Sequence, residues 1–358
     1  MKKLLFLVGT RPEVIKIAPL FRILRQKTDF ISLLCTSGQH DSLLTDTLLC
    51  EGLTPDLSFS ISGDLSQKSA EAITGFDRIL SKCVPDAVIV HGDTLTAFSG
   101  AVAAFYRRIP VLHVEAGLRT KNPHAPFPEE FYRRAIDALS SLHFAPTPLA
   151  AEKLVREGIS PSCIYTVGNT AIDSLLADLD PTFTHPLLTA GKKLVILTVH
   201  RRESQGEILR EIFRGVRAGI SGRTDHTLFF PMHPNPCIRA AALSVFSSLE
   251  NAALSAPVDA HTFRNLLSHA TLVLTDSGGV SEECTALGIP TLLLRNETER
   301  TEGIEAGVLH PVGTKAEDIA RAVRDFLDTP RDIRPSQAFG DGRAALRIAC
   351  AIENFIRT

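Results

Sequence analysis

Six side chains able to hold or move a proton stand where apolar runs of this sequence stop. His91 and Asp93 end one run in DAVIVHGDT, His113 and Glu115 end the next in PVLHVEAGLRT, Glu129 follows in PFPEEFYRR, and His200 closes a later run in KLVILTVHRRE. A carboxyl half-withdrawn from water is harder to ionise, which moves its pKa toward the range that proton transfer near neutral pH needs. Any one of these acids alone reads as a helix cap or a paired surface group. Several at matching positions point instead to acid/base catalysis by Asp93, Glu115 and Glu129, with His91, His113 and His200 in the same constellation. Histidine beside aspartate can also ligate a metal, but no H-x-x-x-H or comparable spacing is present, so neither a metal nor another cofactor is expected. Arg11, in GTRPE after the first apolar run, is placed to neutralise a phosphate. MHPNP (232–236) reads as a rigid turn carrying one histidine.

A different chemistry is written in TDSGGVSEECTALGIP. Ser277 is a good N-cap, Gly278 and Gly279 leave backbone N–H groups bare, and Gly288 with Pro290 ends the helix. Bare N–H groups at the positive end of a helix dipole suit a diphosphate, and an acid about one turn further on could hold a ribose diol. Glu282 and Glu283 both stand at that distance. No G-x-x-x-x-G-K-[ST] or G-x-G-x-x-G competes for the nucleotide.

The elements that must position these groups follow from the alternation of short apolar runs with segments of helical period. KLLFLV, ISLLCT, DAVIVH, PVLHVE and LHFAPT read as strands in the first half, and KLVILTV, TLFFPM, TLVLTD and PTLLLR in the second. Helices are expected from about Pro12, His40, Leu65, Thr96, Pro128 and Pro148, with a closing one through RAALRIACAIENFI. The fold class is α/β: two doubly wound Rossmann-like domains of parallel strands, expected to face each other across a cleft at the strands' carboxyl ends. Residues 178–193, with Pro, Gly and Thr and no period, read as the linker. This gives a first domain over 1–177 carrying the acids, a second over 178–340, and a helix over 341–358 expected to pack back on the first.

Composition excludes several classes. The chain of 358 residues carries 38 Lys and Arg against 40 Asp and Glu, so no overall field recruits nucleic acid or an anionic membrane. The start MKKLLFLVGTRPE is too short in its apolar run for a signal peptide, and no run approaches the ~20 apolar residues that span a bilayer. Seven scattered cysteines without C-x-x-C spacing argue for reduced thiols and a cytoplasmic protein.

GTRPEVIKIAPL, HGDTLTAFSGAVAAFYRRIPVLHVEAGLRT, PFPEE, VGNTAIDSL, HRRES, HPNP, LTDSGGVSEECTALGIPTLLLRNETERTEGIEAG and FGDGRAALRI occur in this order along nearly the whole chain. Together they resemble the non-hydrolysing UDP-N-acetylglucosamine 2-epimerases. The resemblance implies the GT-B type two-domain fold shared with many nucleotide-sugar glycosyltransferases. It also implies a UDP-binding second domain, a homodimer, and interconversion of UDP-GlcNAc and UDP-ManNAc without a metal. By the same resemblance Asp93, Glu115 and Glu129 match acid/base positions, and His200 lies near the diphosphate. Arg11 and Lys16 match site positions, with Arg133 counted among the substrate-binding residues. Ser277 and Gly278 match a phosphate loop, Glu283 a ribose-binding acid, and Phe263 a place where backbone meets uracil, with Gly279 counted beside them among the UDP-binding residues. Gln39, Arg201 and His233 match a subsite for a second UDP-GlcNAc. There Ser42 replaces a usual Gln and Glu71 a usual Arg, and a carboxylate would repel that effector. Tyr132, Asn296 and Thr301 also depart from the family's pattern, which leaves the exact N-acyl sugar open.

The C2 hydrogen of an N-acetylhexosamine is not next to a carbonyl, so breaking the C1–O bond first is the easier route. It needs charge held on the departing diphosphate and acids on two faces of the ring. The competing readings are a hydrolysing 2-epimerase that releases ManNAc and UDP, a GT-B glycosyltransferase, and an inactive nucleotide-sugar sensor.

Overall fold

Runs such as AVIVH become strands buried along their whole length, as expected when helices cover both faces of a parallel sheet. The computed structural model describes residues 1–38, 42–120, 122, 124, 126–189, 191–200, 206–296, 298, 300–329 and 331–357. They form two compact units, Met1–Ser174 with Gly340–Thr358, and Leu175–Phe339.

The first unit holds β1 (Lys2–Val8), β2 (Phe30–Thr36), β3 (Leu57–Ser58), β4 (Ala87–His91), β5 (Val111–Val114), β6 (Leu142–Ala145) and β7 (Ile164–Thr166). All neighbours pair in parallel, in the order β3-β2-β1-β4-β5-β6-β7. The second unit holds β8 (Lys193–Thr198), β9 (His226–Pro231), β10 (Ala252–Ser255), β11 (Ala270–Thr275), β12 (Thr291–Leu293) and β13 (Leu309–Pro311). Its order is β10-β9-β8-β11-β12-β13, again wholly parallel. The direction of winding reverses between β1 and β4 and between β8 and β11, where open α/β sheets receive ligands.

The helix expected from about His40 spans Ser42–Cys50 among the described residues. The closing helix, Ala344–Arg357, belongs to the first unit: Ala345, Ile348 and Ile352 join Val14, Ile17 and Phe21 of the Arg11–Arg25 helix in one core. Asp173 fixes its start by accepting the N–H groups of Ala344 and Ala345 at 3.1 and 2.8 Å. The chain passes between units within the helix Thr170–Asp178. Segment 178–193 lies in the second unit, where Phe183, Leu187 and Leu188 pack on the core against Leu194 and Phe229. Among the described residues no helix is long and apolar enough to cross a membrane.

Candidate active site

In the first unit the site is assembled where β1, β4 and β5 end. A Cβ on Gly9 would stand 1.9 Å from the Thr96 hydroxyl and 2.8 Å from that of Ser37, so only glycine lets the β1 exit lie this close to the β4 exit. Arg11 then opens its helix, and two residues on Glu13 is buried. The Glu13 carboxylate accepts the Gly9 N–H at 3.0 Å and the hydroxyls of Thr10 and Thr94 at 2.8 and 2.6 Å, tying the first loop to the tip of β4. Burial outweighs these hydrogen bonds and pushes its pKa up to about 7.

Beyond β4, Gly92 takes φ +63°, and Thr94 caps the helix Leu95–Tyr106 by accepting the Ala97 N–H at 3.0 Å. Between them Asp93, its side chain 29% exposed, pairs with buried Arg133. Glu115, just past β5, has φ +67°, a conformation costing roughly 1–3 kcal/mol for a residue with a Cβ and typical of functional turns. Lys16 Nζ at 2.5 Å and Asn169 Nδ2 at 3.1 Å hold its carboxylate. His91 Nδ1 lies 3.7 Å from the same carboxylate, and burial lowers the His91 pKa to about 3, so the ring is neutral at physiological pH. Glu129 begins the helix Glu129–Leu139 half-buried, whereas its neighbour Glu130 is fully buried on Arg134, Arg133 and the Thr120 N–H. His113 does not line an open tip: it is fully buried, with Nδ1 2.6 Å from Asp137 and Nε2 2.8 Å from the Gly92 carbonyl.

The second unit builds its site at the ends of β8 and β11. Asp276 is buried and accepts the His200 N–H at 3.1 Å, with His200 Nδ1 3.2 Å away; the His200 ring stays 45% exposed and stacks on His233 at 6.3 Å. Ser277 caps the helix Gly278–Leu287, accepting the Val280 N–H at 3.4 Å, and space lies open beside Gly279. Glu282 is buried on Arg300 Nε at 2.9 Å, while Glu283 meets Arg264 Nε at 3.4 Å and keeps part of its side chain exposed. Of the two acids left open by the sequence, Glu283 is thus the accessible one. Phe263, on the helix Ala260–Ser268, is half-buried against the unit's core.

The structure therefore brings Lys16, Asp93, Glu115 and Arg133 into paired contacts at neighbouring tips, with Arg11 and Glu129 opening the helices beside them. His200, Ser277, Gly278, Gly279 and Glu283 gather in the second unit. Gln39 and Arg201 lie outside the described residues; His233 is exposed beside His200, and Glu71 accepts the Ser62 N–H at 2.8 Å on the surface. Sequence reading passed over Glu13, Asn169, Asp137 and Asp276. Glu13 and Asp276 were visible as acids within GTRPE and TDSGG, but their partners are fixed only by the fold.

A family model described as UDP-N-acetylglucosamine 2-epimerase matches residues 22–353. The UDP-N-acetylglucosamine 2-epimerase of Bacillus subtilis is 39% identical over 97% of this chain and 94% of its own length. That of Escherichia coli K12 is 36% identical over 98% of each. Among solved structures, S. aureus MnaA with UDP superposes with TM-score 0.94 at 37% identity, covering 100% of this chain and 97% of its own. The Neisseria meningitidis UDP-GlcNAc 2-epimerase bound to UDP-GlcNAc gives 0.93 at 32%, covering 99% and 100%.

Proposed function

This chain belongs to the UDP-N-acetylglucosamine 2-epimerase family, and from that premise we propose that it interconverts UDP-GlcNAc and UDP-ManNAc by eliminating UDP and adding it back. The observation that carries the reading is the group of acids at neighbouring tips of one sheet, Asp93 on Arg133 and Glu115 on Lys16, with Glu129 opening the adjacent helix.

In the forward half the C1–O bond breaks and its electron pair leaves with the UDP oxygen. A carboxylate takes the C2 proton, and the C–H pair becomes the C1–C2 double bond of a 2-acetamidoglucal. In the return half the UDP oxygen adds to C1 and an acid on the opposite face delivers a proton to C2, inverting it. Developing cationic charge at C1 makes the C2 proton acidic enough for a carboxylate. Arg11, His200 and the N–H groups from Ser277 onward are assigned to the departing diphosphate. Glu283 is assigned to the ribose and the backbone at Phe263 to the uracil. Lys16 and Asn169 aim the Glu115 carboxylate.

The protein is further proposed to work as a cytoplasmic homodimer. Phe105, Tyr106, Phe127 and Phe131, each more than half exposed on the first unit, supply apolar surface for a partner copy. Activation by a second UDP-GlcNAc is expected to be weak because of Glu71; sigmoidal kinetics left unchanged by Glu71→Arg would contradict this.

Proton NMR of the protein with UDP-GlcNAc in D2O tests the reaction. UDP-ManNAc with deuterium at C2 of both epimers supports it. Free ManNAc with UDP would mean hydrolysis, and unchanged substrate would overturn the assignment.

A further inference from the structure

Glu129, Arg133 and Asp137 fall at i, i+4 and i+8 of one helix and so share a face. The middle residue of that face holds Asp93 directly. The last one touches no reacting group, yet it reaches the turns that carry both Asp93 and Glu115. One Asp137 oxygen lies 2.6 Å from His113 Nδ1, and the same ring donates from Nε2 to the carbonyl of Gly92, the residue before Asp93. The other oxygen accepts the N–H of Gly117, two residues past Glu115, at 3.3 Å, and Arg119 Nη2 at 2.7 Å. Arg119 is anchored in turn by Glu157 at 2.6 Å.

Resting on the acid/base reading above, we propose that Asp137 is a positioning residue that sets the Asp93 and Glu115 turns together, the first through His113 and the second through the Gly117 N–H. The Glu115 turn depends on backbone that does not hold itself, with a non-glycine residue at φ +67°, while Gly92 takes its φ of +63° freely and is fixed by the His113 contact. Burial alone would raise the Asp137 pKa, but His113 and Arg119 hold it down to about 2, so the acceptor stays ionised. Buried ion pairs are poor sources of net stability, because desolvation offsets their attraction. A network of this kind that ends on two catalytic turns is better explained by aim, since a misplacement of 1 Å can cost about 100-fold in rate.

The test compares Asp137→Asn, His113→Asn, His113→Gln and the double variant Asp137→Asn/His113→Asn. The readouts are kcat and KM for UDP-GlcNAc, UDP affinity, thermal midpoint, and amide hydrogen exchange. Asp137→Asn is expected to lose about 100-fold in kcat, with KM and UDP affinity within about threefold. The double variant should lose little more than the worse single one, because both act through one chain of contacts. Gln at 113 can still donate toward the Gly92 carbonyl and Asn cannot reach it, so His113→Gln should lose less than His113→Asn. Amide protection should fall selectively at residues 92–94 and 115–117. Additive losses, equal losses for the two residue-113 variants, or a kcat deficit that only tracks the thermal midpoint would overturn the proposal. An inert wild type would defeat the functional reading instead, and the exchange pattern would still decide the positioning role. Should Asp137→Asn fail to fold, the residue-113 pair carries the test.

Discussion

At the β1/β4 reversal the first unit collects Glu13, Asp93 and Glu115; at the β8/β11 reversal the second collects Asp276, Glu282 and Glu283. The topology is the same and the use of the acids differs. In the second unit two of them point inward, Asp276 holding the His200 backbone and Glu282 holding Arg300, so that N–H groups and an exposed imidazole remain at the tip. In the first unit cations are turned toward the acids: Lys16 and Arg133 brace Glu115 and Asp93 at the tip itself. On the proposed reading, one tip serves an anion and the other moves protons. The winding of the sheet selects where chemistry happens, and the direction in which each carboxylate is paired selects what kind.

The largest effect should follow from neutralising the first tip. Glu115→Gln and Asp93→Asn are each expected to lower kcat by about 10²–10⁴-fold and to abolish C2 deuterium uptake, while UDP affinity by calorimetry stays near wild type. A comparable loss of UDP affinity would erase the division of labour between the tips. Next in size, two adjacent acids of the second unit should separate cleanly. Glu282→Gln removes the negative charge paired with buried Arg300 and should cost about 3 kcal/mol in urea unfolding. Glu283→Gln should leave stability almost intact and weaken UDP binding by about tenfold. Reversed outcomes would make Glu282 the ribose ligand.

The strand tips beside both reversals were legible in the sequence because polar residues interrupt apolar runs there, whereas the strand order that makes them reversals was not. Nine runs read as strands correspond to the inner strands of the two sheets. The four strands not anticipated, β3, β7, β10 and β13, are the four sheet edges. LS, IYT, AALS and LHP are too short to show a period, and half-exposed edges do not demand an apolar run. The tip acids were named for the same reason the inner strands were. Lys16 and Arg133 were named, but not which acid each would meet, and Glu13 and Asn169 were passed over, because Glu13 meets Thr94 and Glu115 meets Lys16 across sequence separations of 81 and 99 that only the sheet order closes. Asp137 sits amid the apolar period of its helix, where a lone acid gives no hint of two turns to hold.

The smallest expected effect tests how the first tip keeps its buried groups uncharged. The folded protein retains a proton on Glu13 up to about 7, against 4.5 when unfolded, so the stability this gives is complete below about 4.5 and lost as the pH rises through about 7. His91 works in the opposite sense: its folded pKa of about 3 lies below the ordinary 6.5, so its contribution is complete above 6.5 and lost as the pH falls toward 3. Between these limits the two slopes oppose each other in the wild type. Glu13→Gln removes the falling slope, so its unfolding free energy should gain about 2 kcal/mol on the wild-type curve between about pH 4.5 and 6.5. His91→Asn removes the rising slope and should lose a similar amount against the wild-type curve over the same range. If Glu13→Gln instead follows the wild-type pH dependence in urea unfolding, the Gly9, Thr10 and Thr94 donors have overcome burial. The first tip would then hold one more full negative charge beside Asp93 and Glu115, bringing the two regions' electrostatics still further apart.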